Sequence, residues 1–531
     1  MSDWHLRSEF RNGVNTGGAI QYVWMFGIIG AFVLLLACIN FMNLSTARSE
    51  RRAKEVGVRK TIGSRSAQLT LQFFSESLLT VTIAFLLSLL LVQLVLPLFN
   101  EVANKQMTLE WHKPIYWVSC ISIIILTALV AGSYPAFYLS SFKPVQVLKG
   151  TFKAGRNATL PRKILVVTQF TVSVILIVGT VMVYRQIQFT KDRPVGYNRQ
   201  NLITIPAMNT TIHDHLDAVK NELLNSGAIV SIAESESPTT GILNSSSGFS
   251  WNGKDPNLST DFGVVNASYD YGSTIGWQVK EGRGFSRDHL SDSTAVVINE
   301  TAAHFMGLKN PIGEVITKWN QPLTVIGVVK DMIIESPYAQ ARPIIYGLSS
   351  WTGNVIIVKL NADLTASAAL AKIEQVFKKY NPEQPFEFQF VDEDYARKFG
   401  DEERIGKLAG AFTILAVLIS CLGIFGLASF TAEQRAKEIG IRKILGASTI
   451  TLWHMLANEF VQLVLLACII AVPVAYYFTK QWLAKYAYRV EISWMIFLAT
   501  AVSAIVITLL TISYQAIKTA VASPVKSLKS E

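Results

Sequence analysis

Three groups of residues in this 531-residue chain have types and spacing that could support chemistry. Gly248 to Asp255 reads GFSWNGKD, the glycine and lysine spacing of a loop that cradles phosphates. It ends in Asp255, however, where a Ser or Thr hydroxyl would ligate magnesium, so the match reads as coincidence and the chain is expected to carry no ATPase of its own. His213, Asp214, His215 and Asp217 are metal-ligand types. Histidines at i and i+2 do not share a helix face, and His5, His112, His289, His304 and His454 are scattered, so the cluster reads as a solvated helix start. The third group is the informative one. Residues 52 to 63, RAKEVGVRKTIG, recur at 435 to 446 as RAKEIGIRKILG, with eight of twelve positions identical at an offset of 383.

Within each copy the residue types fit a short helix. Glu55 and Arg59, like Glu438 and Arg442, stand at i and i+4 and can pair. Gly63 and Gly446 can end the helix in a left-handed cap. Gly57 and Gly440 inside the motif cost roughly 1 kcal/mol each in a helix, which makes sense where another backbone must come close. A basic linker held by anionic lipid would explain Arg52, Lys54, Lys60, Arg435, Lys437 and Lys443. It would not explain two near-identical copies with glycine at the same places, so we read a docking helix for a partner protein. The same offset pairs Glu76 with Glu459, each a lone acid ahead of an apolar run. Helix capping is the expected role, and a polar contact to the docking helix is the alternative.

These motifs must be positioned by the elements around them. The chain is 50% hydrophobic and only 16% charged, against roughly 25% charged for soluble domains. Seven charge-free runs (12 to 47, 77 to 100, 114 to 142, 164 to 184, 408 to 432, 460 to 479 and 492 to 517) are long enough to cross hydrocarbon. Residues 187 to 404 carry 19 basic and 26 acidic groups, which leaves 29 basic against 12 acidic for the rest. The net charge of +10 therefore belongs to short stretches beside the spans, as the positive-inside bias predicts, and needs no nucleic acid. Residues 46 to 66, with seven basic groups, and 143 to 163, with six, are placed in the cytoplasm with the tail that carries Lys518, Lys526 and Lys529. Trp111, Tyr116 and Trp117, and Tyr476, Tyr477, Trp482, Tyr486, Tyr488 and Trp494, read as aromatic belts at the opposite interface. Cys38, Cys120, Cys421 and Cys468 fall in or beside spans, which gives neither a disulfide framework nor a metal site.

The outer segment has the composition of an α+β domain. Leu202 to Ile205, Ala295 to Ile298, Leu323 to Val329 and Asn354 to Leu360 read as strands. Segments 212 to 225 and 365 to 380 read as helices, the latter with Leu370, Ile373 and Phe377 on one stripe and Asp363 or Thr365 as its cap. From Asp392 to Ser429 a polar helix is expected to run unbroken into its span as a stalk. SYPAFYLSSFKPVQVLK at 133 to 149 also matches SYQAIKTAVASPVKSLK at 513 to 529. The chain then divides into residues 1 to 19, the expected remnant of a first outer domain; 20 to 150, a three-span half; 151 to 186, a linker and fourth span; 187 to 404, the outer domain; and 405 to 531, a second three-span half. On that reading the chain is most of a longer two-half protein.

The paired basic motifs, the paired acids and the Pro-Val-x-x-Leu-Lys tails resemble the FtsX-like permease family of ABC transporters, which includes MacB-like efflux permeases. EGRGFSRDHL, AVVINETAAHFMGLKNPIGEVI and LTVIGVVKD, between 281 and 331, resemble the MacB-like periplasmic core domain. The resemblance implies a polytopic α-helical protein of a bacterial inner membrane with one α+β periplasmic domain. It implies coupling helices at about 50–63 and 433–446, in which Arg52, Lys54, Glu55, Gly57, Arg59, Lys60 and Gly63, and Arg435, Lys437, Glu438, Gly440, Arg442, Lys443 and Gly446, meet a cytoplasmic ATPase dimer, with Glu76 and Glu459 in support. ATP and magnesium would sit on that partner, and the permease would transmit motion to its outer domain for export. Activation of an envelope hydrolase, release of lipoproteins, a periplasmic adaptor, and an ATPase-independent receptor remain open.

Overall fold

A computed structural model describes residues 7, 9–11, 14–18, 20–140, 156–207, 209–258, 261–348 and 353–521. The Pro-Val-x-x-Leu-Lys tails and most of the 143 to 163 connection lie outside these residues. A short hairpin, β1 (Glu9–Arg11) with β2 (Val14–Gly17), precedes α1 (Ile20–Thr61), α2 (Ser66–Ala103), α3 (Pro114–Ser140) and α4 (Arg156–Lys191). Apolar side chains all round leave a helix no face for water, and a lipid-crossing backbone must satisfy its own amides, so these runs stay helical throughout. Helix α4 outlasts its charge-free run by about two turns, through Arg185 to Lys191.

The chain then builds β3 (Leu202–Pro206), α5 (Thr211–Asp214), α6 (Leu216–Asn225), β4 (Ile229–Ser235), β5 (Asn244–Ser246), β6 (Phe249–Ser250), β7 (Phe262–Ala267), α7 (Tyr271–Ile275), β8 (Val279–Gly282), β9 (Ala295–Asn299), α8 (Glu300–Phe305), β10 (Val315–Lys318), β11 (Gln321–Val329), β12 (Ile344–Leu348), β13 (Val355–Leu360), α9 (Ala366–Tyr380), β14 (Gln389–Phe390) and α10 (Val391–Arg397). One mixed sheet runs β14-β3-β13-β4-β7-β12-β9-β11-β10-β6, with β5 on β7 and β8 on β11. Its two parts meet through a single described pair, Ser235 with Ala267. Helices α6 and α9 cover the first part, where Ile203, Ile205, Ile356 and Val358 pack against Val219, Ile373 and Phe377. The four expected strands form, and Thr365 rather than Asp363 caps α9 by accepting from the Ala368 amide at 3.3 Å. The helix expected over 212 to 225 is split at His215.

The expected unbroken stalk is corrected. Helix α10 stops at Arg397, and α11 (Gly400–Gln434) begins after Lys398 and Phe399. Phe399 is buried against Tyr395 and Tyr338. The Lys398 ammonium donates to the carbonyls of Thr240, Ile334 and Glu335. These long-range contacts hold a break that helix propensity does not forecast. The chain closes with α12 (Ala436–Ile444), α13 (Thr449–Leu483) and α14 (Trp494–Val521). Seven described helices, α1 to α4, α11, α13 and α14, are long and apolar enough to cross a membrane.

Two compact units result: Met1–Arg185 with Glu402–Trp482 and Glu491–Glu531, and Gln186–Asp401 with Leu483–Val490. In the helical unit, polar and small residues join the helices beside buried apolar ones such as Val174, Val178 and Ile424, as expected where lipid weakens the hydrophobic drive for association. Ser173 and Ser420 share a 2.8 Å hydrogen bond, Thr180 and Thr413 one of 2.7 Å, and Gln169 donates to the Ile419 carbonyl at 3.3 Å, which joins α4 to α11. Gly426 brings α11 so close to α1 that a Cβ there would lie 2.1 Å from Leu44 Cδ2.

In the α+β unit, Arg283 grips the buried Asp292 carboxylate through both terminal nitrogens at 2.6 Å, and the Ser286 amide adds a bond at 2.9 Å. The Arg283 guanidinium, followed by that amide, outweighs burial and holds the Asp292 carboxyl below its usual range. A depressed folded pKa means that the stabilisation is present above the unfolded value of about 3.9 and is lost as pH falls through the lower folded value. Asp292→Asn is therefore expected to lower the urea midpoint of the α+β unit at pH 7, with the gap to wild type closing below about pH 4. Tryptophan fluorescence during urea titration measures it; a gap unchanged down to pH 3 contradicts this account.

Candidate functional site

Both basic motifs are helical, with different entries. The first forms the last turns of the continuous α1, not the separate short helix expected; the second is the separate α12, which follows a break at Arg435 (φ −93, ψ 9). Their ends are the same. Ser64 N donates to Arg59 O and Gly63 N to Lys60 O, and in the second copy Ala447 N donates to Arg442 O and Gly446 N to Lys443 O. This is the paired-bond Schellman closure, and it requires the left-handed φ of +105 at Gly63 and +91 at Gly446. Arg442 pairs with Glu438 at 2.7 Å, as the i, i+4 spacing predicts. The side chains of Arg52, Lys54, Glu55, Gly57 and Lys437 lie outside the described residues, and with them the Glu55–Arg59 pair.

The two copies also present matching faces. Val56 and Ile439 are buried, as is Gly440. Arg59 and Arg442 are exposed, and Ile62 and Leu445, at equivalent places just before the caps, are 81% and 80% exposed. Aliphatic side chains this open, beside arginines and beyond the apolar spans, have the composition of a docking surface. Lys60 Nζ donates to the Ser140 carbonyl at 2.5 Å, which fastens the first copy to the C-terminal end of α3.

Glu76 and Glu459 do not cap helices. Helices α2 and α13 start directly after each glycine cap, at Ser66 and Thr449, which leaves both acids well inside. Glu459 instead joins three elements: Arg435, at the head of α12, approaches at 3.0 Å and Lys163, near the start of α4, at 3.1 Å. Glu76 accepts from Gln72 at 3.2 Å, and Gln72 accepts from Arg59 at 2.8 Å. The observed arrangement is thus a polar contact to the basic helix, direct for Glu459 and through Gln72 for Glu76. Beside Lys163, the buried Arg162 donates to the Thr46 carbonyl of α1 at 3.3 Å and lies 5.4 Å from the Phe430 ring centroid of α11. The start of α4 therefore touches the approaches to both basic motifs. Sequence reasoning counted Arg162 and Lys163 only as loop charge, and nothing local marks their partners. Ile62 and Leu445 were legible as an aliphatic exchange at the repeat offset.

The other candidates are placed differently. His213 faces Glu234 at 2.7 Å, and His215 Nδ1 lies 2.9 Å from the Thr211 carbonyl. The phosphate-loop look-alike is the short edge strand β6 and a turn, with Lys254 Nζ folded back onto the Phe249 carbonyl at 2.6 Å. A cleft of about 970 Å³ opens on the α+β unit beside Arg193, Arg199, Glu300, Lys330 and Asp331. Of its acids, Glu300 is engaged by Lys280 and Asp331 by Asn299 and Thr301. Tyr486 and Tyr488, expected in an interfacial belt, pack against Tyr338 and Phe189. The adjacent backbone of their loop is bonded to Gln186.

Comparison with known proteins accounts for most of the chain. Residues 27–145 and 410–524 match the FtsX-like permease C-terminal family, and residues 165–376 match the MacB-like periplasmic core domain. The chain is an FtsX-like permease with a MacB-like periplasmic core domain. The two permease segments begin 383 residues apart, the offset of the basic motifs, so each half holds one motif. The permease is 24% identical over 52% of its length to the macrolide export ATP-binding/permease protein MacB of Aggregatibacter actinomycetemcomitans. It is 25% identical over 34% of its length to the pyoverdine export ATP-binding/permease protein PvdT of Pseudomonas aeruginosa. It spans under half of those relatives, 43% and 29% of their lengths. The crystal structure of the periplasmic region of MacB from Actinobacillus actinomycetemcomitans aligns over 39% of the permease and 96% of that chain, with 20% identity and a TM-score of 0.29.

Glu459 supplies the test of this geometry. Because Arg435, Lys163 and Glu459 are 37%, 42% and 29% exposed, the node is worth on the order of 1 kcal/mol rather than a buried pair's several. Glu459→Gln is expected to raise amide exchange in Ala436–Ile444 about fivefold while leaving β9, β11 and β12 protected. Exchange measured by mass spectrometry checks it, and unchanged α12 rates would remove Glu459 from the site.

Proposed function

We propose that this permease is the transmembrane subunit of an ABC transporter in a bacterial inner membrane and works with a separate ATPase dimer. The observation that carries the proposal is the repeated basic helix: two copies, one glycine closure, and the same exposed arginine and aliphatic pair, Arg59 with Ile62 and Arg442 with Leu445. A dimeric partner offers two equivalent seats, and two equivalent helices fit them. Ile62 and Leu445 fill apolar pockets there, while the arginines meet acidic rims that favour encounter and register.

The basic ends then lie in the cytoplasm with the C-terminus, and the α+β domain lies in the periplasm. ATP and its magnesium belong to the partner. Closure of the ATPase dimer moves the two helices, and the node at Arg435, Glu459 and Lys163 passes that displacement to α4, which continues as one helix to Lys191. Work is delivered to the outer domain without cargo having to cross between the spans. The names of the relatives support export as the output.

The reading is tested by purifying the tagged full chain from its native membrane. An ATPase should copurify with it, and Arg59→Glu combined with Arg442→Glu should reduce that recovery at least tenfold, about 1.4 kcal/mol of binding. Undiminished recovery and ATP hydrolysis in the double variant would refute the docking role.

A further inference from the structure

Helix α13 is fastened at both ends. Near its start Glu459 holds Arg435, the residue that opens the second basic helix. Its far end leads into Leu483–Val490, which belongs to the α+β unit although it merely connects two spanning helices. That loop is held by one side chain above all. Gln186 is buried, and its amide is fully used: Nε2 donates to the Tyr488 carbonyl at 2.8 Å and to Thr190 Oγ1 at 3.2 Å, while Oε1 accepts from the Val490 amide at 2.8 Å. The Tyr488 ring stacks on Phe189 at 4.6 Å, with the Arg193 guanidinium 4.3 Å from its centroid. Arg193 is itself bonded to the carbonyls of Pro337 and Ala339. Tyr486 packs on Tyr338, which packs on Phe399 at the break before α11.

We propose that the α13–α14 hairpin is a second mechanical link, parallel to α4, between the basic helix Ala436–Ile444 and the α+β unit, and that Gln186 is the positioning residue that closes it. The inference rests on the coupling reading above and adds a route to it. A turn that only reverses the chain needs no buried amide; a loop bonded at Tyr488 and Val490 to the extension of α4 must move with it. Between Glu459 and Leu483 the helix continues through Pro473, a span of about 36 Å at 1.5 Å per residue. A helix of that length carries an axial displacement from Arg435 to the clamp, provided the loop has no slack.

Slack is what the experiment supplies. The full chain with its copurified ATPase is placed in nanodiscs, and amide exchange is compared without nucleotide and with magnesium ATP plus orthovanadate. Wild type should show nucleotide-dependent changes in the loop and in β9, β11 and β12. Gln186→Leu should raise Val490 exchange at least tenfold and at least halve the nucleotide response of the strands, with α4 carrying the remainder. Gln186→Glu, which still accepts from Val490 but cannot donate to Tyr488 when ionised, should fall between. A Gly-Ser-Gly insertion after Leu483 should leave Val490 protected and still at least halve the response, which a purely structural role for the clamp would not do. If both Gln186→Leu and the insertion respond like wild type, the second link is wrong and the coupling reading stands. If wild type itself shows no response with ATPase bound, the coupling reading fails and takes this inference with it.

Discussion

A helix that crosses hydrocarbon has to satisfy every backbone amide within itself, so it is the one element in this protein that cannot yield locally. Helix α4 carries that constraint through its charge-free run, residues 164 to 184, and continues as helix to Lys191, and the described contacts are organised along it. Arg162 and Lys163 near its start reach Thr46, Phe430 and Glu459. Gln169, Ser173 and Thr180 bond α11 along its middle, and Gln186, Phe189 and Arg193 near and beyond its end hold the last loop. Polar attachments thus recur at successive levels of one continuous helix.

The two basic motifs separate local from non-local control. Eight of their twelve residues are identical, and three of the four exchanges are aliphatic for aliphatic. Both copies close in the same way because the closure depends on one residue, a glycine able to adopt positive φ. Only the second copy breaks from its span, at Arg435, which is drawn to Glu459.

Three features escaped sequence reasoning for the same reason. The turn at Lys398 and Phe399 interrupts a stretch with good helix propensity because three carbonyls and two aromatic rings converge on it. Glu459 reads as a cap only while the start of α13 is unknown. Tyr486 and Tyr488 read as an interfacial belt, and nothing local forecasts that their loop is bonded to Gln186, some 300 positions earlier in the chain.

What the amino-acid order determined by itself was whatever depends on neighbours within a turn or two or on summed composition. That includes seven apolar helices, four strands within a residue or two of their ends, the Thr365 cap, the glycine closures at Gly63 and Gly446, and the Glu438–Arg442 pair. Those follow from backbone sterics, i, i+4 spacing and transfer of apolar surface, all of which act locally or additively. Tertiary structure alone decided that Lys163, Arg435 and Glu459 meet, that Arg162 reaches both helical approaches, and that Gln186 claims a loop between two distant spans. Each is a pairing of polar groups far apart in the chain. A charge or an amide specifies the kind of partner it needs, and only the packed helices specify which one it finds.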